Sequence, residues 1–452
     1  MSYSLQFLFG FLTSVIVIIS KKPFERLALS ATSLLDTLLI QEKEEEFIVA
    51  LQQNLKRAVK DIVVFIFCVV FILIPILFYL HYFDSKNSSL LHVFLFFLGS
   101  TLPFFIVSRF ITNKSDYSFL SQLLHRIILN HYNLGKWMLM KQIRFVTNTD
   151  IVTHKSIIIT GLARSGTTAL VDLLNKNGNF TSLNYSNMPF LLYPRIWSRI
   201  YKPSKIELKQ RAHNDGIKVG LASVEALEEY FFKVVLNDSY IQPHGLMKHE
   251  LSEELLQHYY SYQVSISKGK TYLAKNNNQI LRLKSIMEFH RDTHVFILYR
   301  DPLEHSYSLL SQHLNFCRIQ KDDPFALQYM NWLGHHEFGL NHKPFLFNSD
   351  FGKSSYTPFD IEYWVECWIE YYSYALNIEA CTFLSYEEFL SSPEKILSTI
   401  SKNTNEVVSC DGLQKFYKDK KEIQIRNKIL LTKARTIYDE LENKAKIQSV
   451  NH

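Results

Sequence analysis

A glycine-rich loop, Gly161-Leu-Ala-Arg-Ser-Gly166, stands between an apolar run and a segment with helical spacing. The run Ile157–Ile159 is β-branched, which is typical of a buried strand. Thr167-Thr168 opens the next segment, whose apolar residues share one face of a helix. Because a strand, loop and helix in this order aim backbone N–H groups and the helix dipole at one point, the pattern predicts a phosphate or sulfate site.

The loop has the glycine spacing of a nucleotide P-loop, but Thr167 stands where that motif has lysine. In a nucleoside triphosphatase this lysine reaches the β- and γ-phosphates, so its absence argues against ATP hydrolysis. The cation lies inside the loop at Arg164, whose planar fork suits a single terminal phosphate. An ATP-dependent P-loop kinase or nucleotidase is one alternative function, and a non-catalytic module that binds anions or nucleotides is another.

The decapeptide GLARSGTTAL resembles the 5′-phosphosulfate loop of sulfotransferases, in the branch with Arg-Ser-Gly-Thr-Thr. These enzymes use 3′-phosphoadenosine 5′-phosphosulfate (PAPS), and the resemblance implies a second element, a strand ending in Arg and a helix with Ser eight residues later. Arg300 and Ser308 match that element, and Ser306 and Ser311 are near alternatives to Ser308. Asp301-Pro302 between them suits an N-cap and a first helical turn.

The resemblance covers about residues 155–395 and implies a fold class and a binding site. The expected fold is α/β, a P-loop-like sulfotransferase fold with a central parallel sheet, preceded by N-terminal membrane helices. The implied PAPS-binding residues are Gly161, Ala163, Arg164, Ser165, Gly166, Thr167, Thr168, Arg300 and Ser308. The expected reaction is in-line transfer of a sulfuryl group from PAPS to a hydroxyl or amine, with no metal.

The acceptor must lose a proton, which requires a base between the two phosphate elements. Glu228 and Glu229 lead into an aromatic run, and burial beside apolar surface raises a carboxyl pKa. The pattern Glu-x-x-Phe-Phe resembles the segment with the catalytic glutamate of heparan-type sulfotransferases, which implies that role for Glu228. Glu229 and His213 remain alternatives, and Arg164 is the expected catalytic cation on the leaving phosphate.

Four further patterns have weaker chemical meaning. Lys275 ends an apolar run before three asparagines, and it is either a second cation for the phosphosulfate or a surface residue. His335-His336-Glu337 has no second ligand pair at metal spacing, so no metal site is predicted. The aromatic stripe within 364–372 has helical spacing and indicates core, and 415–446 indicates a solvated helical tail.

The first hundred residues predict attachment to a membrane. Ile62–Phe83 and Leu90–Val107 contain no Lys, Arg, Asp or Glu and form a predicted transmembrane hairpin, about 62–107. Leu5–Ser20 is shorter, and it predicts either a membrane-dipping segment or a buried helix. Basic residues flank both ends of the hairpin, which favours a cytoplasmic catalytic domain, whereas a eukaryotic enzyme of this family would sit in the Golgi membrane and face the lumen.

Length and composition set the remaining expectations. The 452 residues predict a membrane-associated region at 1–115, a helical connector at 116–152 and a catalytic domain at 153–452. The net charge of +6 is mild and spread out, so no nucleic-acid partner is predicted. The five cysteines are scattered, which argues against a disulfide framework. The expected partners are the lipid bilayer and an acceptor of the glycan, glycolipid or lipid class.

Overall fold

The computed structural model describes residues 61, 119–176, 179–200, 209–210, 218–219, 227–347, 354–409 and 423–450. All of them except Asp61 fall within one compact unit, Lys114–His452. The predicted hairpin at 62–107, the run Leu5–Ser20 and His213 lie outside the described residues. Within the described part of the chain, no helix is both long and apolar enough to cross a bilayer.

The secondary structure alternates between strands and helices. The strands are β1 (Ser156–Thr160), β2 (Phe180–Thr181), β3 (Lys209–Gln210), β4 (Lys218–Val219), β5 (Ile241–Gln242), β6 (Gly245–Met247), β7 (Thr271–Lys275), β8 (Thr293–Tyr299), β9 (Phe345–Leu346) and β10 (Cys381–Ser385). The helices are α1 (Phe119–Asn130), α2 (Tyr132–Ile143), α3 (Asn148–Val152), α4 (Thr167–Asn175), α5 (Pro194–Ile200), α6 (Glu229–Leu236), α7 (Glu253–Ser267), α8 (Leu283–Phe289), α9 (Pro302–Asp322), α10 (Pro324–Trp332), α11 (Ile361–Leu376), α12 (Tyr386–Ser391), α13 (Pro393–Thr404) and α14 (Lys428–Val450).

The main sheet has the strand order β10-β8-β1-β7-β2, and every neighbouring pair is parallel. The predicted α/β fold with a central parallel sheet is therefore confirmed. Ile159 of β1 lies opposite Lys275 of β7 and Phe296 of β8. Because parallel strands end at the same edge, the segments that follow β1, β7, β8 and β10 meet there, and this edge is where α/β sheets bind ligands.

The strands of the sheet are buried on both faces, as their continuous apolar runs predict. Ile157 and Ile159 face one core, which α4 and α13 complete, whereas Ile158 faces the larger core on the other side. Alternate residues of a strand point to opposite faces, so a run of three isoleucines serves both cores. The aromatic stripe of α11, predicted as core, is buried, and Trp364 and Trp368 are at most 1% exposed.

Helices from both ends of the described unit complete the larger core. The segment predicted as a helical connector contains α1, α2 and α3, which pack against α10, α6 and α7. At the other end, α14 packs on α11 and β10 and buries Ala434, Ile437 and Leu441. The prediction of a solvated tail is therefore wrong for α14, because its charged residues hide an apolar stripe with spacing of three and four residues.

Candidate active site

The glycine loop after β1 requires glycine at two positions, because neighbouring atoms lie too close for a Cβ there. A Cβ at Gly161 would lie 2.6 Å from the Leu298 carbonyl oxygen, and one at Gly166 would lie 2.5 Å from the Tyr386 ring. Gly166 has φ +100° and is the N-cap of α4, where it offers no side chain to the first-turn N–H groups. These N–H groups have no intrahelical partners and point out of the helix end, so they can receive an anion.

Arg164 has a backbone conformation that is uncommon for a residue with a side chain. Its φ is +73°, in the left-handed region, where non-glycine residues are strained. The loop holds this conformation through a turn, in which the Ser165 N–H donates to the Leu162 carbonyl at 3.1 Å. Such strain is concentrated at functional sites, where the surrounding structure enforces one side-chain direction.

The second predicted element forms as the sequence indicates. β8 ends at Tyr299, and the Asp301 carboxylate caps α9 by accepting from the backbone N–H groups of Leu303 and Glu304 at 3.0 and 3.1 Å. Pro302 occupies the first turn, where a missing N–H has no cost. Arg300 therefore sits between a strand end and a capped helix, and both fix its backbone.

Three hydrogen bonds join these two elements. Arg164 Nε donates to Ser308 Oγ at 3.2 Å, and Arg300 Nη1 donates to the Arg164 carbonyl at 3.5 Å. His305 Nε2 donates to the Ala163 carbonyl at 2.7 Å. The structure thus brings Arg164, Arg300 and Ser308 together into one group, which with Gly161–Gly166 we call the loop edge.

The loop edge combines positive charge with a spare donor. Arg300 is 3% exposed, and its Nε has no hydrogen-bond partner among the described residues. Glu304 accepts from Arg300 Nη2 at 3.1 Å, and the guanidinium carbon lies 4.8 Å from the Tyr386 ring centre. Burial and the nearby Arg300 lower the pKa of His305 to about 3, so this histidine is neutral. A buried cationic donor without a partner fits a phosphate oxygen.

Residues that follow β10 and residues of α14 contact Asp301 and so hold the second element, which begins at the end of β8. The Glu387 carboxylate accepts from the Asp301 N–H at 3.0 Å, and Arg435 pairs with the Asp301 carboxylate at 2.5 Å. Burial raises the pKa of Glu387. Tyr386 fills the space beside both Gly166 and Arg300, a role that the motif FLSYEEFL did not reveal.

A turn of three asparagines, Asn276–Asn278, follows β7 at the same edge of the sheet as the glycine loop. Its first residue donates a backbone N–H to the Ile159 carbonyl at 3.3 Å, directly before the loop. The side-chain amides of the three residues donate in turn to Glu229 at 2.7 Å, to Glu337 at 3.2 Å and to the Gly334 carbonyl at 3.0 Å. This asparagine turn therefore positions two carboxylates relative to β1. Lys275, directly before it, is 5% exposed.

Glu229 is held in a buried ion pair. Its carboxylate accepts from Arg282 Nη2 at 2.8 Å and from the Asn276 amide, and the Tyr240 hydroxyl donates to it as well. The Arg282 guanidinium also stacks over the Phe232 ring, 3.9 Å from its centre. Both members of the pair are almost inaccessible, so removal of either one would leave an unpaired buried charge.

Glu228 is equally buried but has a different environment. Gln263 Nε2 donates to it at 3.3 Å, and the Gln263 amide oxygen contacts His154 Nε2 at 3.2 Å. His154 precedes β1, at the end of that strand opposite to the loop. Burial raises the pKa of Glu228 to about 7, against hydrogen bonds from Tyr259 and Gln263 that lower it.

Glu337 differs from both of these glutamates because it lines a small cavity of about 20 Å³ beside the loop. The cavity is mainly apolar, and Leu162 and Ala163 of the loop also line it, together with His342 and Lys343. Burial opposes ionisation of Glu337, but His335, 3.4 Å away, and the Asn277 amide hold its pKa down to about 2. In the sequence, Glu337 stands out only as part of an incomplete metal motif. The short polar run at 335–337 is the one local feature that indicates a functional role for it.

One stretch of the sheet edge contains the residues predicted to bind PAPS: Gly161, Ala163, Arg164, Ser165, Gly166, Thr167, Thr168, Arg300 and Ser308. Glu228 and Glu229 lie at the start of α6, and His213 is outside the described residues. In the described part of the chain, no group of three or more His, Cys, Asp or Glu residues is arranged to hold a metal ion.

Comparison with known proteins identifies the segment that contains these features. Residues 156–337 match the model of the sulfotransferase family, so the resemblance seen in the two motifs is confirmed over that segment. No curated protein sequence matches the chain.

Two solved structures are weakly similar to this chain. The sulfotransferase STF1 from Mycobacterium tuberculosis is 12% identical, with a TM-score of 0.39 over 65% of this chain and 79% of its own. The sulfotransferase STF9 from Mycobacterium avium is 10% identical, with a TM-score of 0.35 over 74% of this chain and 88% of its own. Both TM-scores are below 0.5, so these structures carry no argument. The relationship to sulfotransferases depends on the family match over residues 156–337.

Proposed function

We propose, on the premise of the sulfotransferase-family match over residues 156–337, that this protein transfers a sulfuryl group from PAPS to a hydroxyl or amine acceptor. The observation that carries the proposal is the hydrogen bond from Arg164 to Ser308 at 3.2 Å. It joins two motifs that are far apart in sequence, each of which suits one phosphate-bearing end of a 3′,5′-substituted nucleotide. A P-loop for ATP would need no such second element.

The residues of the loop edge fit both ends of this nucleotide. The first-turn N–H groups of α4 and the fork of Arg164 would hold the 5′-phosphosulfate. Arg300, whose buried Nε has no partner among the described residues, and Ser308 would hold the 3′-phosphate. PAPS itself supplies the sulfuryl group and a stable phosphate as leaving group. The residues of the chain orient it and stabilise the negative charge that grows on the leaving phosphate.

The reactive group of the acceptor would lie near the small cavity beside the loop, whose volume of about 20 Å³ has room for about one water. Leu162, Ala163 and Glu337 are among the residues that line this cavity. A base must lie within hydrogen-bond reach of the proton that it accepts, and geometry is judged before pKa. We therefore assign the base to Glu337, which is ionised at neutral pH because its pKa is held at about 2 and which contacts His335 at 3.4 Å.

The two glutamates predicted from sequence are the rival assignments. Glu229 already accepts hydrogen bonds from Asn276, Arg282 and Tyr240, which is typical of a structural carboxylate. Glu228 has the pKa of a good base, about 7, but its hydrogen-bond chain runs through Gln263 to the far end of β1. Their substitution distinguishes the three assignments.

We also propose that the enzyme is bound to a membrane, because two uncharged apolar runs precede the described unit in sequence. An acceptor in the same membrane, a lipid, a glycolipid or an envelope glycan, suits an enzyme held there. Incubation of membranes with ³⁵S-labelled PAPS, followed by identification of the labelled product, would name the acceptor.

Calorimetric titration of the full-length protein with 3′-phosphoadenosine 5′-phosphate (PAP), the desulfated product, tests the cofactor assignment. Loss of one charge-assisted contact, in Arg164→Ala or Arg300→Ala, should cost about 1.5–3 kcal/mol, or about ten- to a hundredfold in affinity. Arg318→Ala is the matched control, since Arg318 is exposed on the same helix as Ser308 and donates to Asn315, three residues before it. Unchanged PAP affinity in both loop-edge variants, or tight magnesium-dependent binding of ATP instead, would contradict the proposal.

A further inference from the structure

Helix α2 has an outer face that is unusually apolar for a surface in water. Its buried side consists of Gly135, Met138, Leu139, Gln142 and Ile143, which pack on the core. The opposite side carries Trp137 and Met140, and Phe145 follows the helix end. These three side chains are 54%, 49% and 62% exposed. Trp137 and Met140 are three residues apart and therefore share one face of the helix.

Basic side chains surround these apolar groups. Lys141 Nζ lies 5.8 Å from the Trp137 ring centre, and the guanidinium of Arg144 lies 4.3 Å from that of Phe145. Arg195, from the start of α5, approaches the same Phe145 ring at 5.5 Å. We call the surface formed by these side chains the α2 face; its members are Trp137, Met140, Lys141, Arg144, Phe145 and Arg195.

Acidic residues are missing from this part of the sequence. From Tyr117 to Thr149 the chain contains no Asp or Glu, and the next acid, Asp150, accepts from the Thr147 N–H at 2.9 Å as a helix cap. A surface that serves only solubility would mix both signs of charge. Exposed Trp and Phe interleaved with Lys and Arg is the composition of surfaces that lie in the headgroup region of a bilayer.

The order of the chain supports the same occupant. The predicted membrane-spanning runs end at Val107, and α1 begins at Phe119, so the α2 face follows them closely in sequence. Amphipathic side chains bury apolar stems and rings among acyl chains and leave their charges among headgroups. Anionic headgroups add an electrostatic attraction for each Lys or Arg near the surface.

We infer that the α2 face is a docking surface for anionic lipid, against which the catalytic unit rests. The partner is the bilayer surface, with acidic headgroups beside Lys141, Arg144 and Arg195 and the rings of Trp137 and Phe145 at the level of the first acyl carbons. This inference is independent of which group the enzyme transfers.

Fluorescence quenching by brominated lipid tests this surface in the full-length protein. The protein is reconstituted into phosphatidylcholine vesicles with and without phosphatidylserine, and the phosphatidylcholine chains are brominated in one set. The wild type should lose a larger fraction of its tryptophan fluorescence than Trp137→Phe, because Trp137 contacts the lipid. The difference should shrink without phosphatidylserine and in the double variant Arg144→Glu, Arg195→Glu.

A matched control separates docking from mere proximity of a tethered domain. Phe359 is 63% exposed, so Phe359→Trp in the Trp137→Phe background places a comparable probe elsewhere on the surface. We expect no added quenching from this probe. Equal quenching of wild type and Trp137→Phe would overturn the inference, as would equal quenching of the two probes. PAP titration of the same vesicles reports on the proposed function separately.

Discussion

The loop edge and the asparagine turn meet at the same end of the sheet but are built in opposite ways. The loop edge comes from two short motifs, each folded by its own strand, loop and helix, and joined by the bond from Arg164 to Ser308. The asparagine turn instead gathers carboxylates from distant segments, Glu229 on α6 and Glu337 after α10. Under the proposed function, the cofactor side would therefore depend on two locally folded motifs, and the acceptor side on contacts between distant segments.

The sharpest test of this contrast is Glu337→Gln. If Glu337 is the base on the acceptor side, the variant should lose about 10²- to 10⁴-fold in transfer of ³⁵S from PAPS to a membrane fraction. PAP affinity should be unchanged, since the residue is not part of the loop edge. Glu229→Gln and Glu228→Gln are the controls, and a comparable loss in either of them with normal folding would move the base to that residue.

The second test uses the pH dependence of stability. The unfolded chain loses the Glu228 proton near its usual pKa of 4.5, and the folded chain loses it only near 7. Between these values the folded state binds more protons, so its free energy of unfolding should fall as pH rises, by about 3 kcal/mol in total. Urea unfolding of wild type and Glu228→Gln should show this slope in the wild type and its loss in the variant.

Glu288→Gln is the matched control for that measurement, because Glu288 is exposed on α8. A variant Glu228→Gln that keeps the wild-type slope would show that the buried carboxyl does not titrate in this window.

A third test concerns the packing of the glycine loop. Gly166→Ala should weaken PAP binding and destabilise the fold by about 1–3 kcal/mol through overpacking against Tyr386. Gly269→Ala is a close control, since Gly269 also has positive φ but its added Cβ would meet nothing within 4 Å. The backbone penalty is then common to both, and the difference in thermal unfolding measures the contact. Equal destabilisation would mean that Tyr386 can move aside.

The smallest expected effect belongs to Ser308. Removal of one neutral hydroxyl in Ser308→Ala should cost about 0.5–1.5 kcal/mol, or about two- to tenfold in PAP affinity by calorimetry. Ser311, one turn further along α9, bonds its hydroxyl to the Tyr307 carbonyl at 2.8 Å, so Ser311→Ala should leave the affinity unchanged. The reverse order would shift the phosphate contact to the other serine.

Whether a feature of this protein could be predicted depends on how far apart in sequence its interacting residues are. The strands Ser156–Thr160 and Thr293–Tyr299, the cap Asp301 and the helix start at Thr167 were all predictable, because each depends on neighbours within a few residues. The packing of α14 was not predictable, because its composition is mainly charged. Its short apolar stripe is recognised as a buried face only once the neighbouring helix is known. The role of Tyr386 between Gly166 and Arg300 likewise has no local signal.

The sequence by itself predicted a parallel α/β sheet, which the structure confirms, and a two-part anion site with threonine in place of the P-loop lysine, which stays a prediction. Both predictions depend on periodicity, glycine conformation and helix capping, which act along the chain. Only the tertiary structure decided which of the acidic residues are held in ion pairs, which one lines the cavity beside the loop, and that α2 exposes aromatic and basic side chains together. The reason is physical: burial, pairing and exposure are properties of contacts between distant segments, and a linear pattern does not contain them.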